Sequence, residues 1–207
     1  MASTTKTASK DASGRPSQRV LVTDKREAIM TAALDLFVER GFHGTAVPEI
    51  AEKAGVGAGT IYRYFANKEA LVNALYRHEK QRFAERVLAD FPKRSTAREL
   101  FRTMWTRMAT FAVANPKPFV FLELHHHAEY LDAESLALEQ RMRALFTNVV
   151  VAAQARGELK DGPPNLLMSL VMGAFIGVIR GCGETAQPLG DADWVLAERC
   201  VWEAVRA

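Results

Sequence analysis

Between Val47 and Phe65 the chain reads Val-Pro-Glu-Ile-Ala-Glu-Lys-Ala-Gly-Val-Gly-Ala-Gly-Thr-Ile-Tyr-Arg-Tyr-Phe, and its polar residues suit a phosphate backbone. Thr60 can donate to phosphate or touch a thymine methyl. Arg63 can reach a guanine edge or neutralise the backbone. Tyr62 is the preferred phosphate clamp, and Tyr64 extends that contact. Gly57, Ala58 and Gly59 are small, so the start of their helix can approach a duplex closely with its amides exposed. Lys68 follows where its ammonium can reach the same backbone path. Thr45 stands before the preceding helix, where a hydroxyl beside free amides can meet another phosphate. Such a layout of helix, glycine turn and short second helix is how a helix-turn-helix engages duplex DNA. The bland reading also fits single residues: one tyrosine packs on a neighbour, and Lys68-Glu69 is an ordinary solvated helix start.

These groups need elements to hold them. Residues 24–40 form an amphipathic helix with Ile29, Ala32, Ala33, Leu36 and Phe37 on one face, Asp24 as N-cap and Gly41 as stop. A second helix is expected over about 47–54, capped by Thr45, with Pro48 tolerated in its first turn. The third covers about 58–64 and turns Ile61 and Phe65 inward. A fourth runs from Asn67, as cap, to about 89. Further helices are expected over 95–113, 117–129, 132–156, 165–180 and 191–205, with Asn115-Pro116, Gly157 and the 181–190 stretch as breaks. No internal repeat and no convincing alternating strand is visible. The fold class is all-α, with a three-helix DNA-reading unit at 23–70 and a larger helical body at 71–207. Residues 1–22 read as a flexible basic arm, either an auxiliary phosphate contact or a solvated tail.

The chain resembles the TetR/AcrR family of bacterial transcriptional regulators. The resemblance is carried by Ala33 to Phe37, Gly41-Phe42, Ile50 to Val56, Gly59 to Phe65 and Asn67 to Leu71. It implies a homodimer, an effector-binding body, and phosphate or groove contacts from Thr45, Thr60, Tyr62, Tyr64 and Lys68. This sequence departs from the family at Ala46, commonly Thr or Ser, and at Gly57, commonly Ser. At position 58, where relatives often read a base, Ala58 offers only a methyl group.

The chain has 207 residues, 48% apolar, with a net charge of +3. That suffices for a sizeable core, and the charge neither establishes nor excludes nucleic acid as partner. Two cysteines, Cys182 and Cys200, suggest free thiols in a reducing compartment. No secretory signal is visible, and the apolar stretch near Leu166–Ile179 reads as too short for a bilayer. A cytoplasmic location follows, with no membrane partner.

In the body, Trp105, Met108, Phe111, Phe121 and Phe175, together with His125, His126 and His127, are the candidate lining of a pocket for a small apolar or aromatic effector. Aromatic and Met residues at this spacing are also ordinary core. Three consecutive histidines cannot all point into one site from a regular helix, and the spacing matches no compact zinc signature. A metal-responsive regulator using Glu123 and His125–His127 is the alternative; no metal or other cofactor is assigned. For dimerisation the candidates are Leu166, Leu170, Gly173, Phe175 and Ile179 on one helix and Trp194 and Trp202 on the last, in a four-helix C2 interface. The leading reading is an effector-responsive regulator, a repressor by preference, binding palindromic duplex DNA as a homodimer. An enzyme finds no nucleophile or hydrolytic metal motif and no catalytic residue, and an adaptor leaves Thr60 to Tyr64 without a purpose.

Overall fold

The computed structural model describes residues 18–90, 95–124, 129–185 and 189–207, with side chains described from Asp24 onward except at Leu124 and residues 182–185. The described residues form helices and no strand. They divide into two compact units, one ending at Leu75 and the other running from Tyr76 to Ala207.

The first unit holds α1 (Gln18–Arg40), α2 (Val47–Lys53), α3 (Ala58–Tyr64) and the start of α4 (Lys68–Val87). Ile29, Ala33 and Phe37 of α1 are buried with Ile50, Ala51, Ile61, Phe65 and Leu71. That shared core makes two short helices stable that would be marginal alone. Glycine is required by geometry in the turns, at Gly44 and Gly55 among others. A Cβ on Gly44 would lie 2.3 Å from the Arg40 carbonyl oxygen, and Gly55, in the turn between α2 and α3, has φ +66°.

Helix α1 begins at Gln18, so residues 18–22 are helical rather than part of an arm, and Asp24 lies inside the helix rather than at its cap. The rest of the expected arm lies outside the described residues. Thr45 does not cap α2 either. The N-cap is Ala46, which has no side-chain oxygen; Glu49 instead accepts from the Ala46 amide at 2.9 Å. Asn67 does cap α4, accepting from the Ala70 amide at 2.7 Å.

The second unit holds the rest of α4 with α5 (Ala97–Ala114), α6 (Pro116–Leu124), α7 (Ala133–Ala155), α8 (Pro164–Thr185) and α9 (Asp191–Val205). Thr96 and Glu99 form a reciprocal capping box on α5. Asn115 and Pro116 separate α5 from α6, and Asp132 caps α7 by accepting from the Ser135 amide at 2.8 Å. The core stacks Phe101 on Trp105, sets Trp105 edge-on to Phe175 at 5.0 Å, and brings Phe119 to 5.8 Å from Phe175. Arg98 pairs with the buried Glu198 and lies over the Trp202 ring, tying α5 to α9. The link after α7 is pinned to the end of α9 by the Lys160 amide donating to the Val205 carbonyl at 3.0 Å.

Candidate nucleic-acid interface and effector cavity

Helix α3 is two-sided. Ile61 is 1% exposed and Phe65, its C-cap, is 4% exposed, whereas Tyr62 is 55% exposed. Arg63 is exposed beside Tyr62, as are Gly57, Ala58 and Gly59; Thr60 and Tyr64 are half-buried. The Tyr64 ring lies 6.4 Å from that of Phe65, so part of its surface packs on the core. Residues alternate this way because a seven-residue helix offers one narrow inward stripe, which Ile61 fills. The outward side presents a phenol, a guanidinium and a glycine-lined entrance.

One sequence expectation is corrected, and a second residue is found in a structural contact as well. Thr45 is 1% exposed, and its hydroxyl donates to the Gly41 carbonyl at 2.8 Å and the Leu36 carbonyl at 3.2 Å. It ties off the end of α1 and has no surface to give a phosphate. Lys68 donates to the Phe42 carbonyl at 2.8 Å and the Thr45 carbonyl at 3.0 Å, and its ammonium sits 4.2 Å from the Phe42 ring centroid. Two of its three N–H donors hold the turn between α1 and α2, and the side chain is half-exposed. Together these residues brace the helix pair that carries α3. Glu49 adds to the brace through Arg40, at 2.7 Å; the Ala46 amide, and then Arg40, hold its carboxyl below the usual range.

The second unit contains a cavity of about 610 Å³. Met104 and Met108 of α5, Met142 of α7 and Met168 and Met172 of α8 all line it. Those are five of the chain's seven methionines. Their concentration marks a wall that can repack around differently shaped apolar guests. The volume lies in the ordinary range for small-molecule sites. Lys80, Glu123, Glu139 and Arg143 make the charged part of the lining.

This cavity is not where the aromatic pattern placed it. Of the expected lining, Met108 faces it. Trp105, Phe111, Phe121 and Phe175 are core residues, at most 3% exposed, and do not line it. Aromatic rings at helical spacing filled the centre of the bundle instead, because they bury the most area there. The methionines of α7 and α8 were the overlooked signal. His125, His126 and His127 lie outside the described residues. Among the described residues no cluster of three metal-ligating side chains occurs, and Glu123 is paired with Lys80.

Helix α8 carries an unusual outer surface. Leu166 and Leu170 are 54% and 53% exposed, and Gly173 and Gly177 continue the same face at helical spacing. On α9, Val195 and Leu196 are 67% and 49% exposed. The window Pro164–Gly181 is long and apolar enough to cross a membrane by length and composition, which revises the expectation that it was too short. Its other face, however, packs into the bundle through Leu167 and Phe175. Ile179 and Trp194 are half-buried. Phe175 and Trp202, expected at a subunit contact, are 0% and 9% exposed within one protomer. The correction follows from the core: both rings are consumed by Trp105 and Phe101.

A braced helix-turn-helix with a polar outer face, in a chain whose helical body contains a largely apolar cavity, has the organisation of a helix-turn-helix transcriptional regulator. A family model described as bacterial regulatory proteins, tetR family, matches residues 29–75, and one described as tetracyclin repressor-like, C-terminal domain, matches residues 76–207. The chain belongs to the TetR family of bacterial transcriptional regulators. It is 27% identical over 141 residues to the fatty acid metabolism regulator protein of Bacillus subtilis (strain 168), covering 65% of this chain and 70% of that one. To the HTH-type transcriptional regulator YvkB of the same organism it is 30% identical over 160 residues, 74% of this chain and 82% of that one. Among solved structures, a TetR family transcription regulator from Marinobacter aquaeolei VT8 superposes with a TM-score of 0.81 at 25% identity, covering 91% of this chain and 99% of that one. FadR from Bacillus subtilis, solved in complex with stearoyl-CoA, shares the fold at 23% identity with a TM-score of 0.67, over 86% of this chain and 95% of that one.

Proposed function

We propose that this chain is a ligand-controlled repressor that binds palindromic duplex DNA as a homodimer in the cytoplasm. The observation that carries the reading is the outward side of α3, where Tyr62 and Arg63 stand exposed while Ile61 and Phe65 anchor the helix from below. Tyr62 donates to a phosphate, Arg63 reads a base edge or adds a phosphate contact, and Thr60, Tyr64 and the glycine-lined entrance complete the footprint. With Ala58 in the middle of the entrance, base reading falls mainly to Arg63.

The exposed apolar face of α8, with α9 beside it, supports the dimer. A stripe of Leu166, Leu170, Gly173 and Gly177 packs closely against its own copy, and covering it removes apolar surface from water. Two copies of α3 then meet successive major grooves, which is why the site has twofold symmetry. The effector is an apolar molecule held among the cavity methionines. The similarly folded FadR holds stearoyl-CoA, so an extended alkyl chain is the first form to try. Effector binding favours one spacing of the two recognition helices over another, and DNA affinity follows that difference.

Selection of bound duplexes from a random pool by the purified protein tests this. Enrichment of an inverted repeat, occupied by two protomers, is the expected result. Recovery of no preferred duplex at low salt refutes it.

A further inference from the structure

The cavity has a charged end, and its charges are arranged for a donor rather than an acid. Helix α4 supplies Lys80, α6 supplies Glu123 and α7 supplies Glu139. The Lys80 side chain is 9% exposed, and its ammonium lies 3.4 Å from Glu123 Oε1 and 3.3 Å from Glu139 Oε2. One largely buried cation is shared between two carboxylates whose side chains are 16% and 32% exposed.

The two carboxylates differ in what they have left to offer. Glu139 also accepts from the Tyr76 hydroxyl at 2.7 Å and faces Arg143 at 3.7 Å. Burial opposes its charge, but Lys80 and Tyr76 outweigh burial and hold its carboxyl below the usual range, so it stays anionic at neutral pH. Among the described residues Glu123 has Lys80 as its one side-chain partner, through Oε1. An ionised carboxylate accepts several hydrogen bonds on its two oxygens, so Glu123 keeps spare accepting capacity at the cavity wall. A carboxylate guest brought to this end would be a third anion around one ammonium. Like charges in a partly buried site repel. Arg143, with a side chain 61% exposed, is too screened to reverse that balance. An ammonium or hydroxyl guest instead meets an acceptor that has room for it.

We infer that the cavity takes an amphiphile whose apolar body lies among the methionines and whose polar end is a hydrogen-bond donor, an alkylammonium above all, received by Glu123; a carboxylate end is rejected. This rests on the reading of the cavity as the effector site.

Decylamine, decanol and decanoate share one tail and differ in the head, and each is titrated calorimetrically into the full chain below its micelle concentration. Decylammonium binds tightest and decanoate weakest, by at least about tenfold between them, the scale of one hydrogen bond to a charged group. In Glu123→Gln that gap closes to about threefold, while decanol, which can still donate to the Gln amide oxygen, loses less affinity than the amine. Met142→Trp, which fills the cavity, abolishes binding of all three. Decanoate binding as tightly as the amine overturns the head-group assignment alone, whereas amine binding that survives Met142→Trp places the amine outside the cavity and overturns the inference. If none of the three binds the wild-type chain, the effector-cavity reading falls and this inference falls with it.

Discussion

Tyr62 and Thr45 carry similar hydroxyls with opposite placements. The Tyr62 phenol stands in solvent on α3, so Tyr62→Phe removes a donor without disturbing packing. Duplex affinity should fall by roughly tenfold, uniformly across sequences, with dimerisation unchanged in sedimentation. An unchanged affinity across a salt series removes the phosphate role from that hydroxyl. Thr45 is buried, with its hydroxyl on two carbonyls. Thr45→Val removes the one hydroxyl hydrogen that the two carbonyls share and should lower stability by about 1–3 kcal/mol in chemical denaturation. A stability loss near zero would mean the hydroxyl does not brace α1. From sequence the two residues read alike, because a hydroxyl beside a helix start serves a phosphate and a neighbouring carbonyl equally well. Only the path of the chain after Gly41 decides which partner it finds.

Helix α4 shows the same ambiguity at the level of an element. Its periodicity was plain, but the sequence assigned no partners to its charged residues beyond Lys68 and Glu69. In the folded body they are fastened to α6 and α7: Arg77 to Asp132 at 2.9 Å, Tyr76 to Glu139, and Lys80 to Glu123 and Glu139. Burial would raise the Asp132 carboxyl, yet the Ser135 amide and the Arg77 guanidinium outweigh it and the net shift is downward. Glu139 is lowered in the same sense by Lys80 and Tyr76 against burial. Carboxyls with depressed folded values bind fewer protons folded than unfolded. Their stabilisation is therefore present above their ordinary values of 3.8 and 4.5 and is lost as pH falls through the lower folded values. Urea melts from pH 7 down to 3 should show stability dropping in the acid range. Arg77→Met should reduce the part of that drop owed to Asp132. A melt series with the same acid slope in both proteins would show that the Arg77 contact contributes nothing.

At the scale of the molecule, the dimer and the DNA site stand or fall together. Leu166→Glu with Leu170→Glu places like charges face to face across the proposed twofold contact. The double variant should sediment as a monomer and lose most of its affinity for an inverted repeat, since one head alone makes half the contacts. Its helicity should persist, because both leucines are exposed within a protomer. A dimer that survives the double substitution moves the interface elsewhere. Binding by the wild type should weaken steadily as salt rises, as expected when phosphates are neutralised and counterions released.

Local pattern alone determined the helices, the glycine turn at Gly55, the caps at Asn67 and Asp132, and the family, because each depends on residues near in sequence. Ile61 and Phe65 were legible as the inner side of α3 for the same reason. Tertiary structure decided the rest. It turned Thr45 and Lys68 inward, drew Trp105, Phe175 and Trp202 into the core, and left the methionines of α5, α7 and α8 to line the cavity. Which apolar residues fill a bundle and which border a void depends on how distant helices divide the space between them, and side-chain type carries no record of that division.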